Sequence, residues 1–145
     1  MIIQSIQKLL QYDLIKNNCY IINHCSKDLT IDFYPYQFQQ IILNLLYNAL
    51  ESHADTITIE TNSDAEKKEI FIINNGNPIP PNIQRNIFDP FYTTKENGTG
   101  LGLAICREIL HQHSHNLELV KSNENSTIFK ITLLKNSDLK SFMKI

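Results

Sequence analysis

Apolar and polar residues recur along this chain with two different periods, and these periods predict its secondary structure. A period of 3.6 residues predicts helices at 2–13, 36–52 and 101–113. Alternation or short apolar runs predict strands at 19–25, 29–33, 56–61, 69–73, 117–121 and 127–134. Residues typical of turns separate these segments, and a short helix is expected at 82–88.

The order of these segments predicts the fold class. Helix, strands, helix, strands, loop, helix and hairpin follow one another, which is typical of an α+β fold. We expect a two-layer sandwich in which one mixed sheet is covered on one face by helices. The chain has 145 residues, enough for one domain with a sizeable core. We place that domain at 1–135 and a short tail at 136–145, where Leu139, Phe142 and Met143 stand at helical spacing.

Composition and charge exclude several classes of function. Apolar residues make up 42% of the chain and charged residues 19%, as in ordinary globular proteins. A net charge of −2 gives no reason to expect nucleic acid or an anionic membrane as partner. No apolar run reaches the length of a membrane span, and the first residues do not resemble a secretory signal. We expect a cytoplasmic domain without direct membrane contact, with the cytoplasmic part of a membrane-anchored protein as the alternative. We also expect the isolated domain to be a monomer.

The cysteines and histidines give no strong site by themselves. Cys19, Cys25 and Cys106 match no zinc or redox spacing, so we expect three reduced thiols. A group of histidines at 111, 113 and 115 has two interpretations: a weak metal site, or a helix end that carries basic groups. The second interpretation is favoured.

A glycine-rich segment at 88–104, FDPFYTTKENGTGLGLA, is typical of a loop that binds phosphate. It contains Gly98, Gly100 and Gly102, with Lys95 just before them and a helical pattern just after. Glycine lets the backbone approach an anion closely, and a helix N-terminus offers free N–H groups and a positive dipole end. The alternative is a flexible surface loop.

A polar stripe interrupts the otherwise apolar helix at 36–52. Asn44, Asn48 and Glu51 are spaced so that they share one narrow face of that helix. The amides either bond to neighbouring backbone or face a cavity that holds a hydrated cation and phosphates. Magnesium takes oxygen ligands and bridges to substrate phosphates, so an asparagine oxygen suits the second alternative.

Four motifs stand in an order that resembles the ATP-binding catalytic domain of sensor histidine kinases. They are NLLYNALES at 44–52, INNGNPIP at 73–80, IFDPFYTT at 87–94 and NGTGLGLAI at 97–105. These motifs resemble the N, G1, F and G2 boxes of that domain, whose superfamily includes gyrase, the Hsp90 chaperones and MutL. The resemblance covers residues 1 to 134 and implies a Bergerat-type sandwich with a mobile lid over ATP and Mg²⁺.

The resemblance also implies roles for individual residues. Asn48 matches a magnesium ligand and Asn44 a residue that holds phosphate and metal, while Asn44 and Lys95 are the catalytic candidates. Phe88 and Phe91 match aromatic anchors of the lid. The expected nucleotide-binding positions are Asn44, Asn48, Glu51, Asn74, Gly76, Ile79, Phe88, Phe91, Thr94, Lys95, Gly98, Thr99, Gly100, Leu101 and Gly102.

The chain departs from the family pattern in two of these boxes. Asn74 stands where the family usually has an aspartate that accepts from the adenine amine, and Pro78 stands where it has a second glycine. An asparagine oxygen can accept from the amine and its NH₂ can donate to N1, so we expect altered affinity. Ser114 and His115 replace the usual glycines after the last helix, so that helix is expected to end without a left-handed glycine cap.

No histidine here has the sequence context of a phosphoacceptor, since Cys25 follows His24 and Ala54 follows His53. The chain is therefore expected to be an excised catalytic domain or a stand-alone relative. The expected function is transfer of the ATP γ-phosphoryl group to a histidine on a separate dimerisation and phosphoacceptor domain, with a response regulator downstream. A nucleotide-sensing module without transfer and a serine kinase of the anti-sigma type are the alternatives.

Overall fold

Four helices and seven strands follow one another in the computed structural model, which describes residues 2–96, 98–135 and 142–145. The helices are α1 (Ile2–Leu9), α2 (Gln11–Lys16), α3 (Pro35–Glu51) and α4 (Gly102–Gln112). The strands are β1 (Tyr20–His24), β2 (Thr30–Asp32), β3 (Thr56–Ser63), β4 (Lys67–Asn74), β5 (Asn116–Ser122), β6 (Thr127–Leu134) and β7 (Phe142–Lys144).

The central sheet has five strands in the order β1-β3-β4-β6-β5. β1 pairs with β3 in parallel, and the remaining neighbours are antiparallel, so the sheet is mixed as predicted. The last residue of β4, Asn74, lies opposite both Ile57 of β3 and Thr127 of β6. This register brings Asn74 and Thr127 to the same edge of the sheet.

Alternation along the strands directs one face of the sheet into the core. Ile57 and Ile59 of β3 are fully buried, as are Ile70 and Ile72 of β4, whereas the residues between them are more exposed. α3 packs on this face through its buried residues Phe38, Ile41, Ile42, Leu45, Leu46, Ala49 and Leu50. The predicted two-layer sandwich, with helices on one face, is confirmed.

Two predicted helices differ in the structure. The segment 2–13 is not one helix, because the chain turns at Leu10 and α2 starts at Gln11. The helix expected at 82–88 is absent, and consecutive turns run from residue 81 to 88. In these turns the N–H of Ile83 donates to Pro80 O at 3.0 Å and that of Asn86 to Ile83 O at 2.9 Å. These hydrogen bonds join residues three apart, whereas an α-helix has bonds between residues four apart.

The end of the chain forms a strand where the spacing suggested a helix. Phe142–Lys144 pairs antiparallel with β2, and the side chain of Ile145 is buried in the core. Pairing between β2 and β7 gives hydrogen-bond partners to backbone groups of both strands, whereas a helix of so few residues would not be stable. Leu139 and the rest of 136–141 lie outside the described residues.

The helix that leads into β5 ends in a left-handed residue although the chain has no glycine there. Ser114 has φ of 60°, its N–H donates to His111 O, and the N–H of His115 donates to Leu110 O at 2.8 Å. These two bonds are those of a Schellman motif. The helix thus has no glycine cap, as expected, but its end is still left-handed, because a serine adopts the conformation despite its β-carbon.

Candidate functional site

A cleft of about 420 Å³ opens between α3, α4, the ends of β4 and β6, and the segment that connects β4 to α4. Its long axis follows α3, from Asn44 in the third turn to Ser52 just after the last turn. The lining residues are Asn44, Tyr47, Asn48, Glu51, Ser52, Asn74, Asn77, Pro78, Ile79, Pro80, Ile83, Ile87, Tyr92, Thr93, Thr94, Lys95, Gly98, Thr99, Gly100, Gly102, Leu103, Thr127 and Phe129. We call its two extremes the α4 end and the β4 end.

At the α4 end, Asn44 is held by its own helix. Its Nδ2 donates to Gln40 O at 3.1 Å, so its Oδ1 is left toward α4. A β-carbon placed on Gly102 would lie 3.1 Å from that oxygen, so glycine leaves room between Asn44 and the first turn of α4. The first N–H groups of an α-helix have no partner within the helix, so the start of α4 beside Asn44 can offer such groups to an anion.

Asn48, Glu51 and Lys95 form one polar cluster at the mouth of the cleft. Lys95 Nζ donates to Asn48 Oδ1 at 3.2 Å and to the carboxylate of Glu51. Partial burial lowers the pKa of the Lys95 ammonium below its ordinary value. The amide oxygen of Asn48 is thus oriented toward a cation, and in this structure that cation is the protein's own lysine.

The turn before α4 depends on Gly100. Its φ of +68° lies in the left-handed region, and an added β-carbon would stand 2.4 Å from the carbonyl carbon of Phe91. No other residue fits this close approach of backbone to backbone. Gly100 therefore fixes the course of the glycine-rich segment beside the cleft.

The β4 end is apolar apart from a few buried polar groups. Ile79, Ile83, Ile87, Leu103 and Phe129 form its walls. Between them lie Asn74, which is 5% exposed, and Thr127, which is 3% exposed. A pocket with apolar walls and few oriented polar groups suits a flat heterocycle.

Polar contacts hold this end of the cleft in place. The N–H of Ile79 donates to Ser122 Oγ at 2.8 Å, and that hydroxyl lies 2.6 Å from Thr127 Oγ1. The N–H of Gly76 donates to Asn74 Oδ1 at 3.0 Å. The Asn74 oxygen is therefore turned toward the backbone of Gly76, which does not favour the expectation that it accepts from an adenine amine.

The two predicted aromatic anchors behave differently. Phe88 packs edge-on against Phe129 at 6.3 Å between ring centroids, and Arg107 stacks over it at 4.7 Å. Phe91 is 76% exposed and has φ of 66°, so it anchors nothing within this domain, contrary to expectation. A left-handed backbone at an exposed phenylalanine is rare in proteins.

Most predicted site residues meet at the cleft. Asn44, Asn48, Glu51, Asn74, Ile79, Thr94, Lys95, Gly98, Thr99, Gly100 and Gly102 line it. Gly76, Phe88, Phe91 and Leu101 are not among the lining residues. Gly76 lies next to the lining residue Ser52, and a β-carbon on it would stand 2.0 Å from Ser52 Oγ.

Sequence reasoning missed several lining residues. Ser52 is one helical turn beyond Asn48, so the polar stripe of α3 could have revealed it. Thr127 reaches the cleft only through the pairing of β6 with β4. The apolar residues of the β4 end, such as Ile83 and Leu103, carry no signal that separates them from the core.

The histidines near the end of α4 do not form a metal site. Within the described ranges, no three His, Cys, Asp or Glu side chains are arranged to hold a metal ion. His113 packs edge-on against Phe33 at 5.3 Å, and the buried His115 accepts from the N–H of Leu134 at 3.1 Å through Nδ1.

No helix in the described part of the chain is long and apolar enough to cross a membrane.

Comparison with known proteins identifies the family of this chain. Residues 34–137 match the family of histidine kinase-, DNA gyrase B- and HSP90-like ATPases. Sporulation kinase A of Bacillus subtilis is 32% identical over 137 residues, which cover 92% of this chain and 23% of that protein. The chain spans about a quarter of the length of the curated relatives it matches.

Solved structures show the same fold. The nucleotide-free catalytic domain of histidine kinase ThkA superposes with a TM-score of 0.82 at 29% identity, covering 92% of this chain and 90% of that one. ThkA in complex with the response regulator TrrA gives a TM-score of 0.77 at 26% identity, covering 93% of this chain and 40% of that one. The chain therefore belongs to the family of histidine kinase-, DNA gyrase B- and HSP90-like ATPases, as a catalytic ATPase domain of the sensor histidine kinase type.

Proposed function

We propose that this domain binds ATP with Mg²⁺ and supplies the γ-phosphoryl group to a histidine on a separate dimerisation and phosphoacceptor domain. The triphosphate would lie at the α4 end of the cleft, against Asn44, Asn48, Lys95 and the glycine-rich segment. The base would lie at the apolar β4 end. A response regulator would receive the phosphoryl group afterwards, which the likeness to ThkA, solved with its regulator TrrA, supports.

One observation carries this proposal: among the described residues, the α4 end gathers groups that bind charge but offers no free base. Asn44 is a neutral amide tied to Gln40 O, and the carboxylate of Glu51 is paired with Lys95. Neither is placed to take a proton from water, so hydrolysis is disfavoured. Phosphoryl transfer depends mainly on positioning and on neutralising charge, and the ammonium and helix N-terminus provide both.

The donor set at this end fits magnesium. Asn48 Oδ1 already faces a cation, and Asn44 Oδ1, one turn earlier on α3, lies beside Gly102 at the start of α4. These neutral oxygens would hold the ion together with phosphate oxygens and water, which is how Mg²⁺ is usually bound. Mg²⁺ would neutralise charge that develops on the phosphates. Lys95 must first release Asn48, after which its ammonium is free to pair with a phosphate.

The acceptor has to come from outside this domain. All five histidines are in described ranges, and none of them lines the cleft. His111 and His113 stand at the far end of α4, whose 11 residues separate them from the phosphate end by about 16 Å. Transfer within one chain would need a much shorter distance. Because ATP and response regulators meet in the cytoplasm, we place the domain there.

The test is incubation of the chain with γ-labelled ATP and Mg²⁺, alone and with the phosphoacceptor domain of its own kinase. We expect label on the acceptor domain and none on this chain. Label that stays off both proteins while nucleotide still binds would favour a nucleotide-sensing module. Acid-labile phosphohistidine on this chain alone would contradict the proposed division of labour.

A further inference from the structure

The amide of Asn74 is oriented by the protein itself. Its Oδ1 accepts from the N–H of Gly76 at 3.0 Å, and the hydroxyl of Ser52 lies 3.4 Å from the same oxygen. A backbone N–H can only donate, so the atom that faces it must be the oxygen. The reverse orientation would set an NH₂ against an N–H at the same distance.

The backbone around Gly76 cannot move away to relieve this constraint. A β-carbon on Gly76 would lie 2.0 Å from Ser52 Oγ and 2.7 Å from Ser52 O, so the turn after β4 is pressed against the end of α3. The N–H of Asn77 donates to Ser52 O at 2.7 Å and holds the same approach. The orientation of the Asn74 amide is therefore built into the packing of β4 on α3.

The NH₂ group of Asn74 is what remains for a ligand. Nδ2 has no hydrogen-bond partner in the described part of the chain, although Asn74 is only 5% exposed and lines the cleft. The other buried polar group here, the Thr127 hydroxyl, can donate or accept and does not discriminate between bases. The polar group whose orientation is fixed at the β4 end, the Asn74 NH₂, is therefore a hydrogen-bond donor.

This end is where a purine would lie. Its walls are apolar, and Ser52 is eight residues from Asn44 along α3. Eight residues span about 12 Å of helix, comparable to the distance between the base and the terminal phosphates of a nucleotide.

We infer that Asn74 selects the group at position 6 of the purine, and that the cleft takes 6-oxopurine triphosphates at least as well as ATP. This rests on the proposed function. With position 6 opposite Asn74, a 6-oxo group accepts from the NH₂, whereas the 6-amino group of adenine presents N–H to N–H and adenine must shift so that its N1 accepts instead. An aspartate at position 74 would accept from Gly76 with one oxygen and from the amine with the other. The side chain thus sets the base preference through polarity and not through size.

The test is calorimetry of ATP and ITP with Mg²⁺, because these nucleotides differ only at position 6 and at the protonation of N1. The parent chain should bind ITP as tightly as ATP or more tightly. Asn74→Asp should shift the ratio toward ATP by about tenfold or more, the usual effect of pairing or opposing a buried polar group. Asn125→Asp adds the same charge in the exposed β5–β6 turn and should leave the ratio unchanged.

Each outcome decides the inference. If the parent chain binds ATP more tightly than ITP, the assigned polarity is wrong while the proposed nucleotide function stands. If neither nucleotide binds, the proposed function fails and the inference fails with it. The parent chain alone gives this answer, so the test does not depend on the folding of Asn74→Asp.

Discussion

Lys95 Nζ lies 3.2 Å from Asn48 Oδ1 and contacts the carboxylate of Glu51 as well. A lysine of the glycine-rich segment thus pairs with the polar stripe of α3 across the mouth of the cleft. The pair is half exposed, so it adds little to stability. Its consequence is functional: a divalent cation bound as we propose would compete with this ammonium for the same amide oxygen.

Asn48→Ala should abolish the increase in nucleotide affinity that Mg²⁺ gives, because the side chain supplies the oxygen that we assign to the metal. The free energy of unfolding should change little, since Asn48 is only partly buried. Calorimetry with and without Mg²⁺ measures the first effect and urea unfolding the second. Gln40→Ala removes an exposed amide from the same helix and is the matched control. A magnesium effect that survives in Asn48→Ala would contradict the assignment.

Amide hydrogen exchange should be fast at 80–99 without ligand and slow when nucleotide and Mg²⁺ are added. Backbone bonds in this stretch are short-range turns, such as that from the N–H of Asp89 to Asn86 O at 2.9 Å and from Tyr92 to Asp89 O at 3.2 Å. Such bonds open locally without unfolding the core. Amides of β4 should be protected in both states and are the internal control. Equal protection of 80–99 with and without ligand would indicate a rigid segment.

Ser122→Ala should weaken nucleotide binding from a distance. The Ser122 hydroxyl accepts from the N–H of Ile79 and pairs with Thr127, so it holds two walls of the β4 end. Its loss leaves that N–H unpaired, and we expect unfolding to become easier by about 1 kcal/mol. Ser126→Ala in the same turn is the control. If Ser122→Ala matches the control in both urea unfolding and nucleotide affinity, this positioning role is excluded.

Acidification should destabilise the fold through His115. Burial and the neighbouring His113 lower the pKa of His115 below its ordinary value of 6.5. The unfolded state therefore binds more protons than the native state, and the free energy of unfolding falls as pH drops below about 6.5 and through the lower native pKa. Protonation at Nδ1 would also remove the acceptor for the N–H of Leu134.

The measurement is urea unfolding at about pH 7.5 and about pH 5.5, on either side of the ordinary histidine pKa. His115→Gln should show a smaller loss between these two conditions than the parent chain. His24→Gln, on an exposed edge strand, should keep the loss of the parent. An unchanged loss in His115→Gln would mean that other groups carry the pH dependence.

The periodicity of the sequence alone was enough to predict the elements whose local pattern is strong. α3 and the hairpin of β5 and β6 have strong local patterns, and the predicted bounds differ from the structure by a few residues. The pattern failed at 82–88, where spacing resembles a helix but the chain makes turns, and at 142–144, which form a strand with β2. In both places, the hydrogen bonds that decide the structure cannot be predicted from the spacing of apolar residues.

Residue types and spacing by themselves were enough to predict the class of chemistry that we propose for this cleft. The glycine-rich segment and the Asn44–Asn48–Glu51 stripe predict a phosphate end, because backbone N–H groups and amide oxygens bind phosphate and Mg²⁺ in any fold that presents them together. Only the tertiary structure decided that Lys95 lies on Asn48, that Thr127 joins the base end, and that Asn74 presents its NH₂. These depend on contacts between β4, β6 and α3 that are distant in sequence, and an amide has no polarity toward a ligand until the packing around it fixes which atom is free.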